Sequence, residues 1–289
     1  MKLKRKFDAG QFAVLAEMEP PKGVDVSAMV ANAKRVKGKV DAYMVPEMSS
    51  AVMRMGALGG AMVLQNQGLE AVVQVCCRDR NRLALQGDLL AAYALGITNV
   101  MVVGGEDPSF GDHHQARAVH DIDQIELLKT IQNLQSGRDM AGIELAGAPE
   151  FVVGSTVGAG AHGKSPEMEI EEMVKRVDAG ARFFVTPPIF DIAQLHPYRK
   201  RLDSVRAIIL PTVLLLKSLG MARYIARNMP HIYIPESLID RLQRAPDKVR
   251  ECVQIAAETV SGLKSEGFSG VVLSTIGWER RLPEVLETI

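Results

Sequence analysis

A few carboxylates, one run of guanidinium groups and one glycine-rich segment are the chain's candidates for chemistry. Glu17 ends an apolar run and is followed at once by Met18-Glu19-Pro20-Pro21. A carboxylate rarely closes an apolar strand unless it is paired or used, because burying an unpaired charge is costly. Partial desolvation would raise its pKa towards neutrality, where a carboxyl group can serve as a general acid; the plainer alternative is a solvated loop acid. Glu106 follows Gly104-Gly105 at the end of another apolar run, and Glu47 follows Pro46. Arg78-Asp79-Arg80-Asn81-Arg82 sets alternating charges at a helix start, a pattern that suits either phosphate binding or a mutual ion-pair lattice.

Other features carry less. Gly158-Ala159-Gly160-Ala161-His162-Gly163 matches GxGxxG, but a dinucleotide fingerprint also needs the helix to start at the glycines and an acid about twenty residues on, ending the next strand. Here Ser165-Pro166 starts the helix and Asp178 lies at that helix's end, so the dinucleotide fold is rejected, while a rim loop that lets a cofactor approach the backbone remains. Asp112-His113-His114 with His120 lacks the spacing of a zinc site, and no metal is expected. Cys76 and Cys77 are adjacent, so on a strand they face opposite sides and cannot chelate together.

Such residues must be positioned by something, and the chain supplies an alternation. Short β-branched runs at Phe12–Glu17, Val40–Val45, Ala71–Cys76, Asn99–Val103, Phe151–Val157, Arg182–Thr186, Ala207–Leu214 and Gly270–Ser274 read as strands. Helical periods fill 26–36, 50–66, 81–95, 122–135, 167–179, 192–203, 217–228 and 246–265, with a short extra helix over Pro235–Ala245. Ser165-Pro166-Glu167 starts one helix and Gly180 follows its last turn. Eight strands alternating with helices imply parallel pairing through right-handed crossovers, and at this length a closed (β/α)8 TIM barrel, one domain over residues 1–289. The strand ends then share one rim, which gathers Glu17, Glu47, Gln74, Arg78, Glu106, Gly158, Pro187 and Leu216. The Gly104–Asp121 loop is long for a βα connection, as functional loops often are.

Composition narrows the classes. With 289 residues, 47% hydrophobic and 24% charged, the chain has ample core material. Zero formal net charge and 5% aromatics give no footing for a nucleic-acid partner. Three cysteines without regular spacing argue for a reducing compartment. The amino terminus is basic but lacks a signal-peptide apolar stretch, and no apolar run reaches membrane-spanning length. A soluble, cytoplasmic protein is expected.

The strand-end residues resemble those of a known family. Glu17-Met18-Glu19-Pro20-Pro21-Lys22 resembles the Glu-x-x-Pro-Pro-Arg/Lys first-strand motif of methylenetetrahydrofolate reductases. Arg176-Val177-Asp178-Ala179-Gly180-Ala181 with Thr186-Pro187-Pro188-Ile189-Phe190-Asp191 resembles that family's Lys-Val-Asp-Ala-Gly-Ala…Thr-Gln-x-x-Phe-Asp segment. Cys77-Arg78-Asp79-Arg80-Asn81-Arg82, Asp88-Leu89-Leu90 and Ile234-Pro235-Glu236-Ser237 are similar to short reductases of acetogens and other anaerobes. The resemblance runs from about residue 12 to 274.

That resemblance implies a barrel enzyme whose flavin, FAD or FMN, takes a hydride from NAD(P)H or an electron-donating partner subunit. The hydride passes to 5,10-methylenetetrahydrofolate, giving the 5-methyl form; a homo-oligomer or hetero-oligomer is implied. Glu17 matches the family acid that protonates a folate ring nitrogen, and Glu106 matches an Asp that contacts the pterin and influences the flavin. Flavin contacts are implied at Gln74, Arg78, Arg80, Asn81, Gly104 and Gly105, and further at Gly158, His162 and Lys175. Substrate contacts are implied at Glu17, Glu106, Pro187 and Leu216. The chain departs from the pattern at Glu106 (for Asp), Pro187 (for a folate-binding glutamine), Gly158 (for tyrosine or asparagine) and Pro46-Glu47 (for Asp-Asn). These departures leave open a second reading, a pterin-binding barrel that serves as a methyl-transfer or non-redox subunit in a C1 complex.

Overall fold

In the computed structural model residues 2–289 are described apart from His162, Lys164 and Arg206 and the side chains of Lys200, Leu202, Asp203 and Ser204. Eight parallel strands close into a barrel in sequence order: β1 (Ala13–Glu17), β2 (Ala42–Val45), β3 (Ala71–Cys76), β4 (Asn99–Val103), β5 (Val152–Thr156), β6 (Phe183–Pro188), β7 (Ile208–Leu214) and β8 (Gly270–Ser274). The last strand pairs with the first, Ala13 opposite Gly270 and Ala16 opposite Leu273, so no sheet edge is left. The helices are α1 (Lys2–Asp8), α2 (Ser27–Arg35), α3 (Ala57–Gln65), α4 (Arg82–Ala94), α5 (Gln124–Gln135), α6 (Pro166–Asp178), α7 (His196–Val205), α8 (Leu219–Asn228), α9 (Glu236–Arg244), α10 (Lys248–Ser265) and α11 (Leu282–Thr288). Near-continuous apolar strands are what a parallel sheet covered on both faces requires, and β2 and β8 are buried at every position.

Two apolar layers result. Outside, strand residues such as Val45, Val73, Val102 and Leu273 pack on the helices. Inside, Leu15, Met44, Val72, Met101, Val152, Phe183, Leu210 and Val272 form a ring with one side chain from each strand. The ring is plugged from below by α1, an element the sequence reading left unassigned. Leu3 and Phe7 of α1 join the inner cluster, and Phe7 meets the Phe183 ring at 5.8 Å between centroids. Glu70 accepts the backbone N–H groups of Lys2 and Leu3 at 2.6 and 3.0 Å, supplying partners that a helix start lacks.

Gly154 of β5 faces the same interior, where a Cβ would lie 2.2 Å from the Phe183 ring. Overpacking of that kind is expected to cost Gly154→Ala roughly 1–3 kcal/mol, read as a lower urea midpoint with unchanged slope.

Strand boundaries agree with the sequence pattern to within two residues, and helix boundaries mostly do; the exceptions have identifiable causes. The helix expected over 50–66 begins only at Ala57, after a 3-10 turn at Ser49–Ala51; Met48 just before the turn, and Ser50 and Ala51 within it, have positive φ. The 192–203 helix is a 3-10 turn, Ile192–Leu195, followed by α7. β6 runs on through Pro187-Pro188, which have no N–H to donate. Its ladder to β7 shifts register there; the Thr212 N–H turns to the Thr186 hydroxyl at 3.1 Å, and the Thr212 hydroxyl donates to the Thr186 carbonyl at 2.6 Å. No helix among the described residues is long and apolar enough to cross a membrane.

Candidate functional site

A cavity of about 860 Å³ opens at the carboxyl ends of the strands, the rim where barrel chemistry is placed. Its apolar lining includes Met44, Met101, Val185, Leu214 and Val272, and its polar groups include Glu17, Gln74, Thr156, Thr186, Thr212 and Ser274 from the strands. A mostly apolar cleft with a few converging polar groups is the usual makeup of a small-molecule site.

Glu17 ends β1 within this wall. Ser274, the last residue of β8, donates its hydroxyl to Glu17 Oε1 at 3.1 Å. Burial pushes the Glu17 carboxyl up to about 7; the Ser274 hydrogen bond opposes that rise, and the carboxylates of Glu19 and Glu279 add to it. Glu19 itself pairs with Arg54 at 2.9 Å.

Glu106 reaches the cavity from the loop after β4 with its side chain 58% exposed, and its carboxylate lies 3.6 Å from Arg78 Nη1. Arg78 is 2% exposed and is spent on protein groups. Its Nε and Nη2 donate to the Asp79 carboxylate at 2.7 and 2.8 Å, and Nη1 donates to the Glu106 carbonyl at 3.2 Å. Arg80 donates to Glu47 at 3.2 Å and pairs with Asp88 at 2.9 Å, while Arg82 binds Asp121 at 2.8 Å. Asn81 caps α4, accepting the Ala84 N–H at 3.1 Å. The alternating run therefore forms an ion-pair lattice behind the rim, and none of its four basic and amide side chains lines the cavity.

Gln74, Gly104, Gly105, Gly158 and Pro187 do line it. The Gln74 carbonyl oxygen accepts the Glu47 N–H at 3.2 Å, and the Glu47 carboxylate accepts the Ala57 N–H at the start of α3 at 2.7 Å. Gly158 donates its N–H to Glu169 Oε2 at 2.7 Å, and a Cβ there would sit 2.5 Å from that oxygen. Glu169 thus fills the space a side chain at 158 would need. Leu216 is 1% exposed in the outer core, away from the cavity lining. Lys175 points to solvent and pairs with Glu172 at 2.6 Å; the basic residue on the cavity is its neighbour Arg176. His162 lies outside the described residues.

Arg176 donates from Nη1 to the Thr156 carbonyl at 2.7 Å, while its Nε is buried with no hydrogen-bond partner. Glu169 and Glu172 were not singled out from the sequence, and Arg176 only as the first residue of a family motif without a site role, although their i, i+3, i+7 spacing puts them on one face of α6. Thr156, Thr212, Gln124, Tyr224 and His231, also on the cavity, carry no sequence signal that separates them from ordinary strand, helix and loop residues. Cys76 and Cys77 are buried free thiols, pushed up by burial to about 11 and about 12, and so unreactive. No cluster of three metal-ligating side chains forms among the described residues; His113 pairs with Asp112 at 2.9 Å instead.

A family model for methylenetetrahydrofolate reductase matches residues 2–289. The chain belongs to the methylenetetrahydrofolate reductase family. The match covers every element of the barrel, including the α1 plug and the terminal α11. Methylenetetrahydrofolate reductase 2 of Schizosaccharomyces pombe (strain 972 / ATCC 24843) is 25% identical over 193 residues, which is 64% of this chain and 29% of that protein. The chain therefore matches less than a third of the length of that relative. Among solved structures, EDTA monooxygenase (EmoA) from Chelativorans sp. BNC1 superposes with a TM-score of 0.60 at 10% identity, over 96% of this chain and 93% of that one. At such identity the likeness is one of fold alone.

Proposed function

We propose that this chain is a flavin-dependent reductase that converts a 5,10-methylene reduced pterin, methylenetetrahydrofolate in the first instance, to its 5-methyl form. The observation that carries the reading is Glu17, a carboxyl group held near neutrality in the wall of a deep, largely apolar cavity. Opening the five-membered ring of a methylene-bearing pterin needs a proton at a ring nitrogen, and an acid with a pKa near the working pH delivers it best.

The residues present fit a flavin. The apolar lining suits a flat heterocycle, and the buried, unpartnered Nε of Arg176 offers a donor to an anionic group at the α6 side of the cavity. Arg176, Gln74, Gly104 and Gly158 would hold it, with FAD the family's expectation and FMN the alternative. Bound there, a flavin supplies a hydride carrier between a nicotinamide nucleotide, or an electron-donating subunit, and the pterin. Glu106 accepts from the donor edge of the pterin, which offers adjacent N–H groups, and Arg78 holds that carboxylate and its loop in place. Glu17 holds the proton. The closed, plugged barrel keeps water from entering below.

Glu106 is one methylene longer than the family aspartate, and Pro187 has no amide to offer. Glu106→Gln is expected to weaken tetrahydrofolate binding by about tenfold or more, because a charge-assisted bond is lost, whereas Pro187→Gln leaves it unchanged or tighter. Calorimetric titration of tetrahydrofolate into the three proteins decides this. The reading as a whole is tested by the visible spectrum of the purified protein and by stopped-flow reduction with NADH and NADPH. Flavin absorbance with hydride transfer to methylenetetrahydrofolate supports it. Pterin binding with no flavin retained, even after reconstitution with FAD or FMN, would replace it with the non-redox subunit.

A further inference from the structure

We propose that Ser274 is the positioning residue of Glu17: its hydroxyl holds Oε1, which leaves Oε2 to carry the proton and present it to the ligand. This rests on reading the cavity as a reduced-pterin site. Neither the family motifs nor the GxGxxG segment points to Ser274; its place follows from barrel closure. β8 pairs with β1 in parallel, Ala16 opposite Leu273, which sets Ser274 beside Glu17 at the rim. Ser274 is 6% exposed, and the partner of its hydroxyl inside the protein is Glu17 Oε1 at 3.1 Å.

The chemistry follows from which oxygen is occupied. In the neutral acid, the oxygen that accepts from Ser274 is the carbonyl oxygen, so the proton rides on Oε2. As the acid acts, the Oε2–H bond breaks, the proton moves to the ring nitrogen and the electron pair stays on the carboxylate. No redox change occurs at this pair. Ser274 keeps its hydrogen bond throughout and stabilises the negative product more than the neutral reactant, which strengthens the acid. Glu19 and Glu279 work against it with like charge. Glu279 is itself fixed by the Thr275 hydroxyl at 3.2 Å and the Gly277 N–H at 3.0 Å, and Arg54 and Lys217 offset Glu19. From β2 the neighbour in register is the apolar Met44, which brings no charge. Among these groups Ser274 alone favours the carboxylate by direct contact with it.

The test is the titration of Glu17 in the flavin-reconstituted protein, followed by difference infrared spectroscopy of the carboxyl band and assigned by its loss in Glu17→Gln. In Ser274→Ala the midpoint should rise from about 7 by roughly half to one pH unit. Ser274→Thr, which keeps the hydroxyl, should return it. Reoxidation by methylenetetrahydrofolate should slow about three- to tenfold in Ser274→Ala at neutral pH, with nicotinamide-dependent reduction unchanged. An unmoved or lowered midpoint, or equal slowing of both half-reactions, overturns the proposal. A raised midpoint in a protein that never transfers hydride to the pterin overturns the assigned reaction and the proton-donor role while leaving the Ser274–Glu17 contact intact.

Discussion

Glu17→Gln is expected to lower folate-dependent reoxidation of the flavin by about 10²- to 10⁴-fold while leaving nicotinamide-dependent reduction close to normal. Only the first half-reaction needs a proton at the pterin, and glutamine fills the same volume without an acidic hydrogen. In the native protein that half-reaction should fall off as pH rises through about 7, where the carboxyl group loses its proton. Stability moves by the same linkage. Because the folded pKa lies above the ordinary 4.5, the neutral carboxyl favours the folded state fully below that value, and the advantage is lost as pH rises through about 7. Glu17→Gln removes this slope. Its melting temperature relative to the native protein should rise between about pH 5 and about pH 8.5, because only the native protein must then bury a charge. Scanning calorimetry at both values checks the sign; a variant equally destabilised at both, with both half-reactions impaired, would mark Glu17 as a packing residue.

The second large effect belongs to Arg78. Its guanidinium ties Asp79, the Glu106 carbonyl and, at 3.4 Å, the Met48 carbonyl, so that the loops after β2, β3 and β4 meet on one buried group. Those loops touch elsewhere too. The Arg78 carbonyl accepts the Val119 N–H at 2.7 Å, and Asp112 joins the β4 loop to Lys22 and to the Met53 N–H. Arg78→Met keeps much of the volume but strands these acceptors, and should cost roughly 2–4 kcal/mol in urea unfolding. Tetrahydrofolate affinity should fall as well, since Glu106 loses both its backbone anchor and its counter-charge. Arg82→Ala removes an exposed pair with Asp121 and is expected to leave the urea midpoint close to that of the native protein. If Arg78→Met and Arg82→Ala proved equally mild, the lattice would be surface decoration and the rim loops would be held by their own turns.

Much of the fold was legible because the signals were local. Each strand is an apolar β-branched run short enough to cross a barrel wall, and the helices between them carry the 3.6-residue period. Pro166 and Gly180 mark the ends of α6 as read, although the Ser165 hydroxyl bonds Glu167 at 2.6 Å instead of capping the backbone. The site was legible where a residue broke its local pattern. Glu17 stands out because an acid ends an apolar strand, and Glu106 because it follows two glycines. What stayed hidden depended on neighbours distant in sequence. Arg78 reads equally well as a phosphate ligand or a lattice member until Asp79 and the Met48 and Glu106 carbonyls are seen around it. Lys175 and Arg176 are interchangeable by type, and only the rotation of α6 decides which faces the cavity. α1 has too few apolar residues to announce a helix, and is fixed by the barrel floor it fills.

The floor and the mouth of the barrel are each tied by contacts between residues far apart in sequence. The plug's ion pair between Asp8 and Arg182 spans 174 positions of sequence, and the Ser274–Glu17 contact at the opposite mouth spans 257. Topologies rich in contacts so far apart fold slowly. The floor can seal only after β6 is in place, and the acid is oriented only when β8 docks on β1. Without β8 in place, Glu17 would lack the Ser274 hydroxyl that holds its Oε1. The setting of this carboxyl group is thus a property of the closed barrel and not of β1 alone.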